Sequence, residues 1–523
     1  MASNTTLFTA LPTEEELVSN GHSSEEKDPD QILDGLLTKV GYGLFQKKLL
    51  ILCGFGWLAD NVRKKESKKI TIAIILPRVQ DHYDVPDRWI GTLSSSLFAG
   101  MTVGAFFWGS YSDTKGRKLP YTMTLVITSV FGLLSSFTYD FASLCFTLFF
   151  LGFGVGGNMP TDGALYLEFL PKEYHYLLTF MSVFFSFGAV LASILGYLIL
   201  PGWSCPEDEL DCDVSTQNNG WRIMLFTVAI ITFIMLILRS LWLKLPETPK
   251  FLMSQDKANE TIIVLQDIAK INGGNIHISR HELPAKQSPI LHPSDGEDDV
   301  NEMNQMLAPG QSNSVELSNP KSQAKTIKIL LGPKWRVTTL LIWAIWTFTA
   351  IAYTMFNVFL PKFLETLGFE GEAVPTRQQV YWDYMIYSLA GVPGSVIASY
   401  LIETRLGRKG TMAISAFGSA VSLFIFSIIS SRITMVLSSS SVSFLATLLY
   451  AVIYGYTPEV FDTSVRGTAV GTASGLGRIA GIMSPIITGI LLTINTSLPL
   501  YISVIGFAIV GFCVMVLPFE TRK

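Results

Sequence analysis

Three ionisable residues, Asp60, Asp162 and Arg478, stand inside long apolar runs of this 523-residue chain, and Asp383 lies near the end of another. A charge inside a bilayer is costly, so each such residue is a functional candidate. Arg478, within Gly477-Arg478-Ile479-Ala480-Gly481, offers a guanidinium that can hold an anionic group. Asp60 or Asp162 can carry a coupled proton, since a buried carboxylate can load and release protons near neutral pH. In the competing reading, Arg478 and an acid form a buried structural ion pair. Trp57, Asn61, Asn158, Trp346, Tyr353, Asn357, Tyr384 and Tyr387 can line a central pocket for a small organic solute. The same aromatics can equally be packing or interface anchors. No P-loop, metal-ligand cluster or nucleophile motif appears, so neither an enzyme nor an ATP-driven pump is expected, and no metal or cofactor.

The elements that must position these groups are long apolar segments. The chain is 49% hydrophobic and only 15% charged, against about 25% charged in a soluble domain. Its mean hydropathy is +0.39. Apolar runs fall at roughly 49–77, 90–109, 119–138, 142–167, 177–200 and 222–243. A second series falls at roughly 337–360, 381–402, 411–430, 434–456, 467–493 and 498–517. Each but the first is an unbroken run that can cross about 30 Å of hydrocarbon as a helix. None shows the alternation of barrel strands, so helices are the only spanning form. The fold expected is an all-α membrane protein of twelve transmembrane helices in two bundles of six.

The domains follow: residues 1–46 a disordered, acidic cytosolic tail; 47–244 the first bundle; 245–335 a cytosolic central loop; 336–523 the second bundle. Within the central loop, about 256–271 reads as an amphipathic helix, and 280–325 as linker. The net charge of -4 gives no footprint for nucleic acid. The partners expected are the lipid bilayer, a small-molecule substrate and protons, with a monomer as the working unit.

Lys and Arg gather in the short loops at one end: Lys115, Arg117 and Lys118, then Lys172, then Arg405, Arg408 and Lys409, then Arg466. The loop between spans 5 and 6 instead carries Glu207, Asp208, Glu209, Asp211 and Asp213. By the positive-inside rule both termini and the central loop face the cytosol. Cys205 and Cys212 then face outside, where they can pair as a disulfide or remain two thiols.

Loop 2–3 reads Gly109-Ser-Tyr-Ser-Asp113-Thr-Lys-Gly116-Arg117-Lys118. Gly109 allows close helix approach, Asp113 can stabilise a helix N-terminus, Gly116 makes a tight turn and Arg117 can hold a charge pair. Loop 8–9 repeats the end of this pattern as Gly407-Arg408-Lys409, with Thr404 where an Asp is expected and Glu403 one residue early. Pro246-Glu247-Thr248-Pro249-Lys250 after span 6 is echoed by Pro518-Phe519-Glu520-Thr521-Arg522 at the end of the chain. Tyr166-Leu-Glu168-Phe-Leu-Pro171 after span 4 is echoed by Tyr456-Thr-Pro-Glu459-Val-Phe461, followed by Arg466-Gly467. Glu168 and Glu459 are expected to pair with Arg117 and Arg408.

Loop 2–3 resembles the signature G-x-x-x-D-x-x-G-R-[RK] of the major facilitator superfamily, and the paired motifs resemble those of its sugar-porter-like members. Gly54-Phe-Gly-Trp57-Leu-Ala-Asp60-Asn61, Ile75-Leu-Pro77-Arg78-Val79 and Gly154-Val-Gly-Gly-Asn158 are similar to the branch near synaptic vesicle protein 2 and organic-ion transporters. The resemblance covers roughly 47–252 and 330–523. It implies a secondary transporter working by alternating access, with the loop charges as a cytosolic gate. It also implies proton symport of an organic anion, because a basic residue in span 11 goes with anionic substrates in the organic-ion relatives. A non-transporting sensor or receptor on the same scaffold is the other reading.

One segment departs from the pattern. Arg63-Lys64-Lys65-Glu66-Ser67-Lys68-Lys69 places five cations and one acid within span 1. Each central Lys or Arg costs about 2.5–3.5 kcal/mol by insertion scales. The segment is an artefact of exon assignment, a real bulge into a water-filled cavity, or a mark of a degenerate transporter.

Overall fold

The computed structural model describes residues 29–61, 69–174, 176–205, 212–283, 327–366, 376–402, 404–428, 431–461 and 463–519. They contain helices and no strands. The first set comprises α2 (Leu44–Asn61) and α3 (Lys69–Tyr83), then α4 (Asp87–Lys115), α5 (Lys118–Ser135), α6 (Phe141–Glu168), α7 (Tyr176–Phe180) with α8 (Ser182–Ile199), and α9 (Gly220–Trp242). The second set comprises α12 (Arg336–Thr366), α13 (Arg377–Leu401), α14 (Gly407–Ile428), α15 (Arg432–Val460), α16 (Thr463–Ile494) and α17 (Leu498–Val516). Among the described residues nine helices are long and apolar enough to cross a membrane. Their outward faces carry exposed Phe106, Phe146, Leu241, Ile433 and Ile494, a surface that suits lipid.

Local chemistry starts several of these rods. Asp140 accepts from the Ser143 N–H and opens α6, with Ser143 Oγ returning to the Asp140 backbone. Thr376 and Gln379 form the same reciprocal cap on α13. Equivalent helices pair alike in the two sets: α4 packs on α6 as α13 packs on α15, and α5 on α9 as α14 on α17. The halves meet along α4 with α16, α8 with α13, and α3 with α12.

The amphipathic segment of the central loop forms α11 (Ala258–Ile271), preceded by α10 (Pro249–Ser254). Part of the expected tail is structured, which corrects the 1–46 assignment. Residues Pro29–Val40 form α1, and the next helix already begins at Leu44. Leu33, Leu36, Leu37 and Val40 make a stripe at helical spacing that packs with Leu265, Ile268 and Ala269 of α11. The stripe is short and set among charges, so it becomes recognisable as core only when α11 supplies its other side. Residues 62–68, which hold most of the cationic segment, lie outside the described residues, as does the linker from 284 to 326.

The glycines of span 11 are not all packing glycines. A Cβ at Gly471 or Gly475 would meet nothing within 4 Å, and Gly477 and Gly481 lie beside Trp346 and Phe98. The close approach belongs to α4 and α6, where a Cβ at Gly100 or Gly104 would strike the Phe149 or Phe153 carbonyl.

Candidate functional site

Between the halves lies a narrow cavity of about 30 Å³. Met101 and Thr102 of α4 form one wall. Trp346 and Thr354 of α12, Tyr450 and Tyr454 of α15, and Arg478 of α16 form the other. Arg478 Nη1 donates to the Met101 carbonyl at a long 3.4 Å. Among the described residues no carboxylate pairs with Arg478. The competing reading of Arg478 as half of a structural ion pair therefore does not describe this arrangement. Its guanidinium faces the cavity with one weak protein partner, so it retains donors for a solute.

The aromatic wall is held in place by its own polar edges. Trp346 Nε1 donates to Thr457 Oγ1 at 3.0 Å, and its ring meets Tyr454 edge-on at 4.8 Å. Tyr353, Asn357, Tyr384 and Tyr387 stand one layer behind this wall, all buried. Asn357 Nδ2 donates to the hydroxyls of Tyr353, at 3.2 Å, and Tyr387. Tyr353 in turn packs edge-on against the cavity residue Tyr450 at 5.5 Å. Of the candidates on α12 and α13, only Trp346 touches the cavity directly. Asn158 is buried within the first half, and Trp57 stacks on Phe185 at 4.7 Å. The side chains of Asp60 and Asn61 lie outside the described residues.

Asp162 is placed differently from the sequence reading. Its carboxylate lies 2.5 Å from Arg239 Nη2, with both side chains sealed from solvent. Arg239 also donates to the Tyr121 carbonyl at 2.7 Å and lies over the Tyr121 ring. Gly56 of α2 backs this cluster, since a Cβ there would collide with Asp162 Oδ2. Sequence reading missed Arg239, because one arginine near the end of span 6 looks like an ordinary flanking charge. The signal was present: it falls within α9, not beyond it. Asp383 likewise has a partner, Arg432, at 3.0 Å.

At the end of the bundle carrying the basic loops, charges pair within each half. Arg117 reaches Glu168 at 3.0 Å and donates to Ser112 Oγ at 2.8 Å. Arg408 reaches Glu459 through two nitrogens, at 2.6 and 2.8 Å. Both pairs join residues 51 apart. Glu247 accepts the backbone N–H of Arg117 at 2.9 Å and of Lys118 at 3.3 Å, so its charge caps the N-terminus of α5. Gly116 turns with φ +102°, and Gly407 with φ +63° at the matching place. The expectation for Gly109 is overturned: nothing lies within 4 Å of a Cβ there, because α4 faces open space at that level. The side chains of Asp113 and Arg466 lie outside the described residues. At the opposite end, Cys205 and Cys212 are joined as a disulfide.

The sequence profile of the Major Facilitator Superfamily matches residues 67–404 and 374–523. The chain belongs to this superfamily. Like its other members it is a multi-pass membrane protein of a transporter family. It is 34% identical to an uncharacterised MFS-type transporter of Schizosaccharomyces pombe, over 96% of this chain and 90% of that one. It is 32% identical to MFS siderochrome iron transporter 1 of Ceriporiopsis subvermispora, over 94% and 90%. Synaptic vesicle 2-related protein of Pongo abelii is 25% identical over 95% and 82%, in keeping with the branch the first-half motifs resemble. The xylose transporter XylE from E. coli, in a partially occluded inward open conformation, superposes with a TM-score of 0.66. That match covers 91% of this chain and 99% of XylE at 15% identity, and it shows the shared fold.

Proposed function

We propose that this facilitator moves a small organic anion by alternating access, with Arg478 as the anion-holding residue and a proton as the coupled ion. The observation that carries the reading is the guanidinium of Arg478 on the cavity wall, with no carboxylate partner among the described residues. A solute carboxylate would supply the missing charge, and the faces of Trp346, Tyr450 and Tyr454 would cover its apolar part.

The proton is assigned to Asp162, with Arg239 as its competitor. An arriving proton neutralises the carboxylate and releases Arg239 onto Tyr121, which loosens α6 from α9 beside Gly56 of α2. The charge pairs Arg117–Glu168 and Arg408–Glu459 are assigned to the gate at the basic end. That end and both termini face the cytosol under this reading, in line with the lysines and arginines gathered there.

Uptake of a panel of organic anions into vesicles with an imposed proton gradient tests the assignment. Arg478→Gln should abolish anion uptake while surface expression stays near normal, and Arg478→Lys should keep part of it. Undiminished anion uptake by the Gln variant rejects Arg478 as the anion residue.

A further inference from the structure

Two ion pairs cross between the halves at the disulfide end, and of their four residues only Arg78 belongs to a motif read from the sequence. Arg78 of α3 reaches Glu365 of α12 at 2.6 Å. Lys362, one turn earlier on α12, pairs with Asp87 at the start of α4. Gln80 joins both sides, donating to Asp87 at 2.6 Å and accepting from Lys362 at 2.8 Å. Arg78 is further held by Asp81 at 3.2 Å, and its carbonyl accepts from Asn218 at 2.8 Å. We propose that Arg78–Glu365 and Asp87–Lys362 form a two-part electrostatic gate that closes the disulfide end and fixes the register of α12 against the first half.

The polarity of the pairs supports the register function. The first half contributes a cation and an anion, Arg78 and Asp87, and the second half answers with Glu365 and Lys362. The two α12 residues are three apart and share one face of the helix. A shift of α12 by one turn brings like charges together. Only one alignment satisfies both pairs, so the contact selects a closed geometry as well as holding it.

The placement of the other cross-half contacts fits a closed gate. Ser95 Oγ donates to the Ile482 carbonyl at 2.7 Å, and Ser193 and Ser388 hydroxyls meet at 2.7 Å. Gly91 lets α4 rest on the Pro485 carbonyl. Among the described residues, the polar contacts between halves run from the disulfide end to about mid-depth, where Ser186 faces Ser395 at 3.4 Å. At the basic end the described pairs Arg117–Glu168 and Arg408–Glu459 each lie within one half. The described contacts thus hold the halves together from the disulfide end to mid-depth. The pairs are only partly buried: Arg78 and Glu365 are 5% and 23% exposed, Lys362 and Asp87 16% and 37%. Each charge regains water when the halves part, so the clamp is strong enough to bias the equilibrium and weak enough to release.

The test uses the full chain in sealed vesicles with a reporter Ser193→Cys at the clamped interface, and a membrane-impermeant maleimide added on the disulfide side. The same gate variants without the reporter control for native thiols. Lys362→Asp, which sets an acid against Asp87, should raise the reporter's labelling rate about tenfold. Adding Asp87→Lys should return it to the starting rate, with Gln80 turning its amide to serve the exchanged charges. Glu365→Gln should raise labelling on its own. Unchanged labelling in folded Lys362→Asp and Glu365→Gln proteins would overturn the gate. A rise in Lys362→Asp that the exchanged pair fails to reverse would overturn the pairing.

Discussion

Neutralising one member of the Asp162–Arg239 pair should destabilise the first bundle far more than neutralising both. In Asp162→Asn the guanidinium of Arg239 keeps its charge while 1% exposed, with no anion opposite. Removing one partner of a buried pair costs about 3–5 kcal/mol. The Tyr121 carbonyl at 2.7 Å and the ring beneath Arg239 remain to support the charge, which places the loss at the lower end, about 3 kcal/mol. For a unit of 150–250 residues, 1 kcal/mol moves Tm by about 2–4 °C, so the midpoint should fall by roughly 6–12 °C. Arg239→Met should fall comparably, since it removes the cation 2.5 Å from the buried carboxylate. The double variant should recover most of the loss, because well-packed neutral residues replace a buried pair at little cost. Thermal unfolding of purified protein in one detergent, followed by intrinsic tryptophan fluorescence, reads all three. If the two single losses simply add in the double variant, the pair is not an energetic unit and the assignment of Asp162 and Arg239 to one switch fails. The same Asp162→Asn protein, if it still carries solute, should lose the dependence of uptake rate on the imposed proton gradient; a retained dependence would move the proton site elsewhere.

Other consequences are open to direct measurement. Gly116→Ala should cost about 2 kcal/mol or more, because an L side chain at φ +102° is strained and its Cβ would sit 2.5 Å from Glu247 Oε2; a Tm equal to the parent's refutes the turn argument. Arg117→Ala should lower Tm more than Arg408→Ala, since Glu168 is 15% exposed and Glu459 40%, and solvent screens the second pair more strongly; the reverse order would count against burial as the deciding variable. Glu282 is half-buried, and Lys39 at 2.6 Å with the Ser279 N–H holds its carboxyl below the ordinary carboxylate range. A lowered acid stabilises the docked state above the ordinary value near about 4.3, and that contribution disappears as pH falls through its own lower value. The protection of amides in residues 29–40, corrected for the pH dependence of intrinsic exchange, should therefore be flat from neutral pH down to the carboxylate range and then fall, and Lys39→Ala should remove the step.

Much of the architecture was legible because a bilayer enforces it. Long apolar runs, cationic loops and the echo of Gly116-Arg117-Lys118 in Gly407-Arg408-Lys409 are one-dimensional signals. The echoed motifs also pointed to the loop arginines as partners of Glu168 and Glu459, and in the structure each acid lies 51 residues from its arginine. Partners within the membrane were a different matter. Asp162 and Arg239 sit on α6 and α9, and no spacing along the chain says which helix faces which. Tyr353 and Asn357 share α12 with the cavity residues Trp346 and Thr354, yet fall one layer back. Neighbours such as Tyr353 and Thr354 point about 100° apart around the helix, so one lines the wall and the other supports it, and periodicity assigns a face only after the neighbours are known.

Hydropathy, loop charge and the echoed loop motifs alone established that this chain is a helical membrane protein built from two similar halves, because only helices and closed barrels bury their backbone polar groups in lipid and these runs lack a barrel's alternation. Tertiary packing alone decided that Arg478 faces a cavity while Asp162 is already paired, and that α12 is tied to α3 and α4 at the disulfide end. The division has a simple cause. Crossing the membrane is a property of each segment by itself, whereas a charge's role depends on what stands within a few ångströms of it, and those neighbours arrive from distant parts of the chain.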